Sequence, residues 1–181
     1  SYINNKYKLV KNNTIETNKN LDNIIYFGRI SKEKGINELN MLAKKLYLNI
    51  DIYGRIESDI DLSRMTNLNY KGIIENSKIT NILESYKFGF HLSRSEGFPK
   101  TIFEMLYKNT RVLCFRHDCF DEFGIPSCSY EILNYDPKKN ILTQSELNKI
   151  KKWMKSNNIY KVPEFISDLS MSKTINTELN G

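Results

Sequence analysis

The sequence predicts an α/β protein built on a doubly wound parallel sheet. Short apolar runs, each closed by a glycine or a turn, alternate with stretches of helical periodicity. The connections between them are short. The first of the runs is continuously apolar, the mark of a strand buried on both faces. With 181 residues, 40% of them hydrophobic and 12% aromatic, the chain suits one domain with a real core rather than a disordered segment.

The elements follow in order. Residues 1–21 are rich in Asn, Lys and Thr and read as a tail or linker, with a short strand possible around Lys8-Leu9-Val10. Ile24-Ile25-Tyr26-Phe27 before Gly28 is the first strand. Ile36, Leu39, Leu42, Ala43 and Leu46 fall at helical spacing. Ile50-Asp51-Ile52-Tyr53 before Gly54 is the second strand, and Leu68-Asn69-Tyr70-Lys71 before Gly72 the third. Ile79, Ile82, Leu83 and Tyr86 mark a helix with Ser77 as its expected N-cap. Phe88-Gly89-Phe90-His91-Leu92 is the fourth strand, a helix over 99–108 follows, and Arg111-Val112-Leu113-Cys114-Phe115 is the fifth strand. Tyr130-Glu131-Ile132-Leu133 is a candidate sixth. Thr143 and Glu146 have capping-box spacing and open a helix with Leu147, Ile150, Trp153 and Met154 on one face. Val162-Pro163-Glu164-Phe165-Ile166 suggests a last short helix. The domain is expected over 22–169, with a polar tail over 170–181.

The formal net charge of +6 suits an anionic ligand, nucleic acid or an acidic membrane surface, and does not choose among them. No apolar run approaches the roughly 20 residues of a membrane span. Cys114, Cys119 and Cys128 form no C-x-x-C pair, so neither a disulfide framework nor a zinc site is expected, and a reducing cytosol is the default compartment.

In such sheets ligands bind beyond the carboxyl ends of the strands. That rule gathers Gly28-Arg29, Gly54-Arg55, Gly72 and Ser93–Phe98 around one crevice. The richest segment is Ser93-Arg94-Ser95-Glu96-Gly97-Phe98-Pro99-Lys100-Thr101-Ile102-Phe103-Glu104. Pro99 suits a first helical position, and the helix start offers free N–H groups to an anion. Glu96 lies on the turn and Glu104 within the helix; as a pair on their own they resemble an acid and a base. Carboxylates flanking an anion site fit a ligand with both phosphates and hydroxyls, such as a nucleotide sugar. The second segment is Gly28-Arg29-Ile30-Ser31-Lys32-Glu33-Lys34-Gly35. The Arg29 fork and the Lys34 point charge together match the roughly two charges of a diphosphate. Alone, this segment reads equally well as a solvated basic turn.

With these segments in order, the chain resembles the C-terminal, donor-binding domain of a GT-B fold glycosyltransferase of the family 4 (group 1) type. The resemblance rests on Gly28-Arg29…Lys34-Gly35, Ile52-Tyr53-Gly54, Leu68…Gly72 and Ser93…Glu96-Gly97-Phe98-Pro99…Glu104, and covers about residues 22–116. It implies a Rossmann-like fold and retaining, metal-independent transfer from a nucleoside diphosphate sugar. No cofactor is implied, the nucleotide sugar being the substrate. Arg29 and Lys34 would bind the diphosphate and stabilise the leaving nucleotide, and Glu96 would meet the donor sugar; these three are the expected catalytic residues. Gly97, Phe98 and the turn amides would contact sugar and phosphate, and Gly28, Pro99, Lys100 and Thr101 would also belong to the donor site. Glu104 would accept from the ribose hydroxyls, and Gly72, Ile73 and Ile74 would line the base pocket. The acceptor site would belong to an N-terminal domain, and the setting would be cytoplasmic surface-polysaccharide or glycoconjugate synthesis, with peripheral contact at the inner membrane face and no specific nucleic acid.

The chain departs from the pattern in places. Asn109 stands where a glycine usually caps the helix, and Arg111 where a proline stiffens the turn. The Gly-rich loop after the fifth strand is replaced by His117-Asp118-Cys119-Phe120-Asp121-Glu122-Phe123-Gly124. This last change motivates an alternative: a non-catalytic nucleotide-sugar-binding or regulatory domain that kept the fold. A GT-B-like nucleotide-sugar epimerase is a further alternative, which the Gly-Arg…Lys-Gly pair does not favour. Asp59-Ile60-Asp61 has the Asp-x-Asp form of a metal-binding pair, but so short a match is common by chance and its context does not suggest ligation. His91, inside an apolar strand, reads first as a core residue and second as one aimed at the crevice. Lys149, Lys151 and Lys152 read as the solvated face of a docking helix.

Overall fold

The structure, a computed structural model, describes residues 23–96, 99–117, 130–132, 135–136, 138–139 and 141–156. The expected N-terminal tail, Gly97, Phe98, the loop beyond His117, the helix at 162–166 and the C-terminal tail lie outside the described residues. Six strands form one sheet: β1 (Ile24–Phe27), β2 (Ile50–Tyr53), β3 (Leu68–Tyr70), β4 (Phe88–His91), β5 (Arg111–Phe115) and β6 (Tyr130–Ile132). Their order is β3-β2-β1-β4-β5-β6 and every pairing is parallel. The chain winds outward from β1 to β3, returns to the centre as β4, and winds outward the other way. The strand order therefore reverses between β1 and β4.

The helices are α1 (Ile36–Leu46), α2 (Asn76–Leu83), α3 (Lys100–Tyr107) and α4 (Gln144–Lys155). They cover both faces of the sheet and create two cores. On one face α1 and α4 bring Leu39, Leu42, Ile150 and Trp153 against Tyr26, Ile52, Phe88 and Phe90. On the other, α2 and α3 bring Ile79, Leu83, Phe103 and Leu106 against Ile25, Val112 and Cys114. Residues 88–91 and 111–115 are buried throughout, as strands covered on both faces must be. Lys149, Lys151 and Lys152 lie on the exposed side of α4, while Leu147, Ile150, Trp153 and Met154 face the core. No helix among the described residues is long and apolar enough to cross a membrane.

Local chemistry explains the helix ends, with two corrections to the expected caps. The residue preceding α2 is Glu75, and Ser77 lies inside the helix. Pro99 is the N-cap of α3 rather than its first helical residue, and its carbonyl accepts from the N–H groups of Ile102 and Phe103 at 2.9 and 3.2 Å. The α4 cap is as expected: Thr143 Oγ1 accepts from the Glu146 N–H at 3.2 Å. Asn109 adopts a left-handed conformation (φ 55°) after α3. The Thr110 N–H then donates to Met105 and the Asn109 N–H to Leu106, the two bonds of a Schellman ending. Arg111, in place of a proline, reaches across to the end of α4. Its guanidinium donates to the carbonyls of Ser156 and Trp153, each at 2.6 Å, and lies 4.6 Å from the Trp153 ring.

Two small elements are not evident in the periodicity. A 3-10 turn (Leu62–Arg64) precedes β3, and β7 (Tyr135–Asp136) pairs with β8 (Ile141–Leu142) as an antiparallel hairpin beside the main sheet. The Tyr135 ring stacks on Phe115 with centroids 4.5 Å apart.

Gly35, at the entry to α1, has φ 78°, and a Cβ there would lie 1.8 Å from the carbonyl oxygen of Leu92. A side chain is therefore excluded by both backbone conformation and space. Gly35→Ala is expected to lower stability by about 1–3 kcal/mol. Urea unfolding followed by circular dichroism checks this; an unchanged midpoint would rule out the close approach of α1 to the end of β4.

Candidate functional site

The carboxyl ends of β1, β2 and β4 open onto a crevice at the reversal of strand order, the place where sheets of this class bind ligands. Two loops meet there. The first runs from Gly28 to Gly35 after β1, the second from Leu92 to Pro99 after β4. The Arg94 N–H donates to the Glu33 carbonyl at 2.9 Å and ties the loops together.

Glu96 is the focus of the second loop. Its side chain is 9% exposed, and its Oε1 accepts from both Lys34 Nζ and His91 Nε2 at 2.8 Å. Burial favours the neutral acid, but the bonds from His91 and Lys34 outweigh it and hold the carboxyl at about 2. Glu96 is therefore an anion at neutral pH. His117, buried beyond β5, is pushed toward its neutral form by burial and then by neighbouring His91, against a smaller opposing pull from Glu96.

Arg29 stands at the rim, its side chain half exposed. The Tyr26 hydroxyl donates to the Arg29 carbonyl and fixes the loop from below. The guanidinium meets Glu57 at 3.0 Å and Glu33 at 3.5 Å. Both expected diphosphate ligands thus carry carboxylate partners. Only the Lys34 partner is buried, and an ammonium has three donors, so one bond to Glu96 leaves capacity for phosphate.

Beside this cluster lies a cavity of about 260 Å³. Phe27, Gly28, Tyr53 and Gly54 line it from the strand ends, Ile74, Asn76 and Ile79 from the α2 side, and Lys100, Thr101 and Glu104 from α3. The loops after β1 and β2 touch closely at its base: a Cβ on Gly54 would sit 1.7 Å from the Gly28 carbonyl oxygen. Burial pushes the Glu104 carboxyl above its ordinary range, and Lys100, at 3.7 Å, draws it partly back.

The structure therefore brings Gly28, Ile74, Lys100, Thr101 and Glu104 to one cavity, and Arg29, Lys34 and Glu96 to the adjoining cluster. Pro99 begins the helix between them. Gly72 and Ile73 do not line the cavity: the Gly72 carbonyl is engaged by the Gly54 N–H at 2.9 Å, and Ile73 points outward, 70% exposed. The chain turns away from the sheet after β3 and only Ile74 folds back. The Asp-x-Asp pair is used locally: Asp59 pairs with Lys32 at 2.8 Å, and Asp61 accepts from the Ser63 N–H at 2.9 Å to cap the 3-10 turn. Among the described residues no cluster of three or more His, Cys, Asp or Glu could hold a metal ion. Arg55 is exposed, and only its carbonyl serves the loop, accepting from Ile30 at 2.8 Å.

Sequence reasoning missed Phe27, Tyr53, Asn76 and Ile79 as cavity residues. Phe27 and Tyr53 each precede the glycine that ends a strand, a position that the crevice rule itself marks. Glu57 was also missed; no local pattern links it to Arg29, because the loops after β1 and β2 are brought together only by strand pairing.

No protein-family model matches the chain, and no curated protein matches it in sequence. Solved structures do match its fold. The pneumococcal O-GlcNAc transferase GtfA, solved with UDP and GlcNAc, superposes with a TM-score of 0.58 at 23% identity, over 75% of this chain and 29% of that one. A mutant of S. aureus TarM, solved with UDP among its ligands, gives 0.62 at 18% identity, over 94% of this chain and 36% of that one. The C-terminal domain of a glycosyl transferase group 1 family protein (LpcC) of Francisella tularensis gives 0.59 at 20% identity, over 83% and 84% of the two chains. This chain thus spans about a third of the length of GtfA and TarM and has the Rossmann-like fold of a GT-B glycosyltransferase domain.

The raised Glu104 carboxyl has a measurable consequence. An acid whose folded value lies above its unfolded one costs stability when ionised, so the cost is absent in acid and complete at neutral pH. Glu104→Gln is expected to make the chain more stable at pH 7, with the gain fading as the pH falls toward about 4 and absent below it. Denaturant midpoints at both pH values check this; a loss of stability at pH 7 contradicts it.

Proposed function

We propose that this chain is the donor-binding half of a retaining, metal-independent glycosyltransferase that takes its sugar from a nucleoside diphosphate. The observation that carries this reading is the juxtaposition at one sheet edge of a nucleoside-sized cavity ending in a carboxylate and a cationic cluster ending in a second, buried carboxylate. The two carboxylates serve opposite ends of one ligand. Glu104, inside the cavity, accepts from the two ribose hydroxyls. Arg29 and Lys34, with Thr101 and the free N–H groups at the start of α3, receive the diphosphate. Glu96 receives a hydroxyl of the sugar with the acceptor capacity that Lys34 and His91 leave it.

In this reading the bond between the sugar and the diphosphate breaks, and negative charge gathers on the departing nucleotide. Arg29 and Lys34 are fixed close to where that charge develops, which is where electrostatic stabilisation lowers a barrier most. Two cations placed there supply the neutralisation that a divalent ion supplies elsewhere, which supports metal independence. Retention of configuration rests on the family resemblance of the Gly-Arg…Lys-Gly and Glu…Glu segments. The acceptor belongs to a second, N-terminal domain closing over the crevice, in keeping with the third of GtfA and TarM that this chain spans. The setting that follows is the cytoplasmic face of glycoconjugate or surface-polysaccharide synthesis, with peripheral membrane contact carried by the whole enzyme.

A thermal-shift screen against UDP-, GDP- and ADP-sugars tests the reading directly, because a ligand that binds the folded chain raises its apparent stability. One nucleotide class is expected to stabilise the chain, and stabilisation by none would overturn the proposal. Calorimetry with the selected diphosphate then reads the cation. Arg29→Ala is expected to cost about 1.5–3 kcal/mol, roughly tenfold to a hundredfold in affinity. The isolated chain is expected to bind but not to turn over; product formed by it alone would refute the two-domain arrangement.

A further inference from the structure

We propose that His91 is a positioning residue that aims the Glu96 carboxylate at the donor sugar. The proposal rests on the donor-binding reading above and adds to it a residue from inside the sheet. His91 is the last residue of β4, a strand whose four residues are all buried. Its side chain is 7% exposed and reaches the Glu96 carboxylate on the loop that follows the strand. Nε2 lies 2.8 Å from Glu96 Oε1. An ionised carboxylate only accepts, so Nε2 carries the proton and donates. Nδ1 is buried and has no hydrogen-bond partner among the described residues.

That unpaired atom separates a positioning role from a packing one. A buried polar atom without a partner costs stability. An aliphatic residue at the end of a fully buried strand would fill the space without that cost. Histidine is explained here by what its other nitrogen does: it fixes one oxygen of a carboxylate that sits on a loop. Lys34 contacts the same oxygen but comes from a flexible four-carbon stem, half of a pair that can loosen when phosphate arrives. The imidazole is rigid, rooted in the sheet, and has no competing role toward phosphate. With Oε1 held by both donors, the carboxylate plane is set and its remaining lone pairs are presented in one orientation. The other charged or titratable groups facing this contact are Lys34 from the first loop, Tyr26 from β1 and His117 beyond β5; the Ser93 hydroxyl, on the same loop as Glu96, donates to the Ser95 carbonyl at 2.9 Å.

The test compares His91→Leu with His91→Gln, whose amide nitrogen can restore a donor near Nε2. Two readouts are taken on the chain as it stands. The first is the titration of the Glu96 carboxyl carbon followed by NMR, which needs no ligand. It is expected to move to higher pH in His91→Leu and to return toward the parent value in His91→Gln. The second is the ratio of dissociation constants for UDP and UDP-GlcNAc, measured by calorimetry. His91→Leu is expected to lose about tenfold of the sugar-dependent part while UDP itself binds within about twofold of the parent, and His91→Gln to recover it. An unmoved Glu96 titration in His91→Leu overturns the proposal, as does an unchanged ratio. Should His91→Leu not fold, His91→Gln decides alone: a Glu96 titration and ratio near the parent values support positioning, and loss of either overturns it. A parent chain that binds no nucleotide refutes the donor-binding reading instead, and the carboxyl titration still decides whether His91 holds Glu96.

Discussion

The buried carboxylate of Glu96 is the constraint on which the arrangement of the site depends. A buried anion must have partners, because the cost of removing it from water is recovered only through well-placed donors. Its two side-chain donors in hand come from different places: Lys34 from the loop after β1 and His91 from the end of β4. Satisfying one carboxylate therefore requires β1 and β4 to be neighbours, the loop after β1 to lean toward β4, and α1 to begin where it does. The close approach of Gly35 to the Leu92 carbonyl and the bond from Arg94 to Glu33 are the backbone consequences of the same convergence.

A second buried carboxylate supports the first from beneath. Glu38, on α1, is fully buried and accepts from the Arg94 guanidinium and from the Tyr135 hydroxyl, the latter at 2.9 Å. Arg94 is two residues from Glu96, so the loop that carries Glu96 is pinned to α1 through both its backbone and this side chain. Tyr135 in turn belongs to the β7–β8 hairpin and stacks on Phe115 at the end of β5. The hairpin is thus joined to the Glu96 loop through Glu38 and Arg94. Arg111 does comparable work at the other end of β5, where it joins the strand to the end of α4. Charged residues at buried positions act here as ties between elements that are distant in sequence.

The fold was legible in the sequence because it is written in local patterns. Continuous apolar runs such as Ile24–Phe27 and Val112–Phe115 can satisfy themselves only in a strand covered on both faces. Leu39, Leu42 and Leu46 can share a face only in a helix. The grouping of Arg29, Lys34, Glu96 and Glu104 near one crevice was legible for a related reason: in a parallel sheet all the loops after strands emerge on the same side. What was not legible depends on strand order and on side-chain reach. His91 reads as core from its apolar neighbours, and only the three-dimensional position of Glu96 gives it a partner. Glu57 meets Arg29 because β1 pairs with β2. The direction of the chain after Gly72, which leaves Ile73 exposed and turns Ile74 inward, follows from the entry to α2 and not from the identities of the residues themselves.

The distribution of cost across the molecule separates scaffold from site. Both cores are closed by well-packed apolar side chains, and the helix ends near them are satisfied, at Thr143 by a side-chain cap and after Asn109 by a Schellman turn. Several unfavourable features stand together at the carboxyl edge of the sheet. Glu104 is held where burial opposes its charge, His91 keeps a buried nitrogen with no hydrogen-bond partner among the described residues, and Arg29 is left half exposed with carboxylates that a stronger anion can displace. Folding alone gives no reason to place these groups together: Glu104 and Arg29 could be exchanged for neutral or solvated residues with a gain or little loss, and a donor at His91 is needed only because Glu96 is there. A polyanionic ligand bearing hydroxyls gives one reason for all of them at once. It would supply donors to Glu104, displace the rim carboxylates from Arg29, and use the orientation that His91 gives to Glu96.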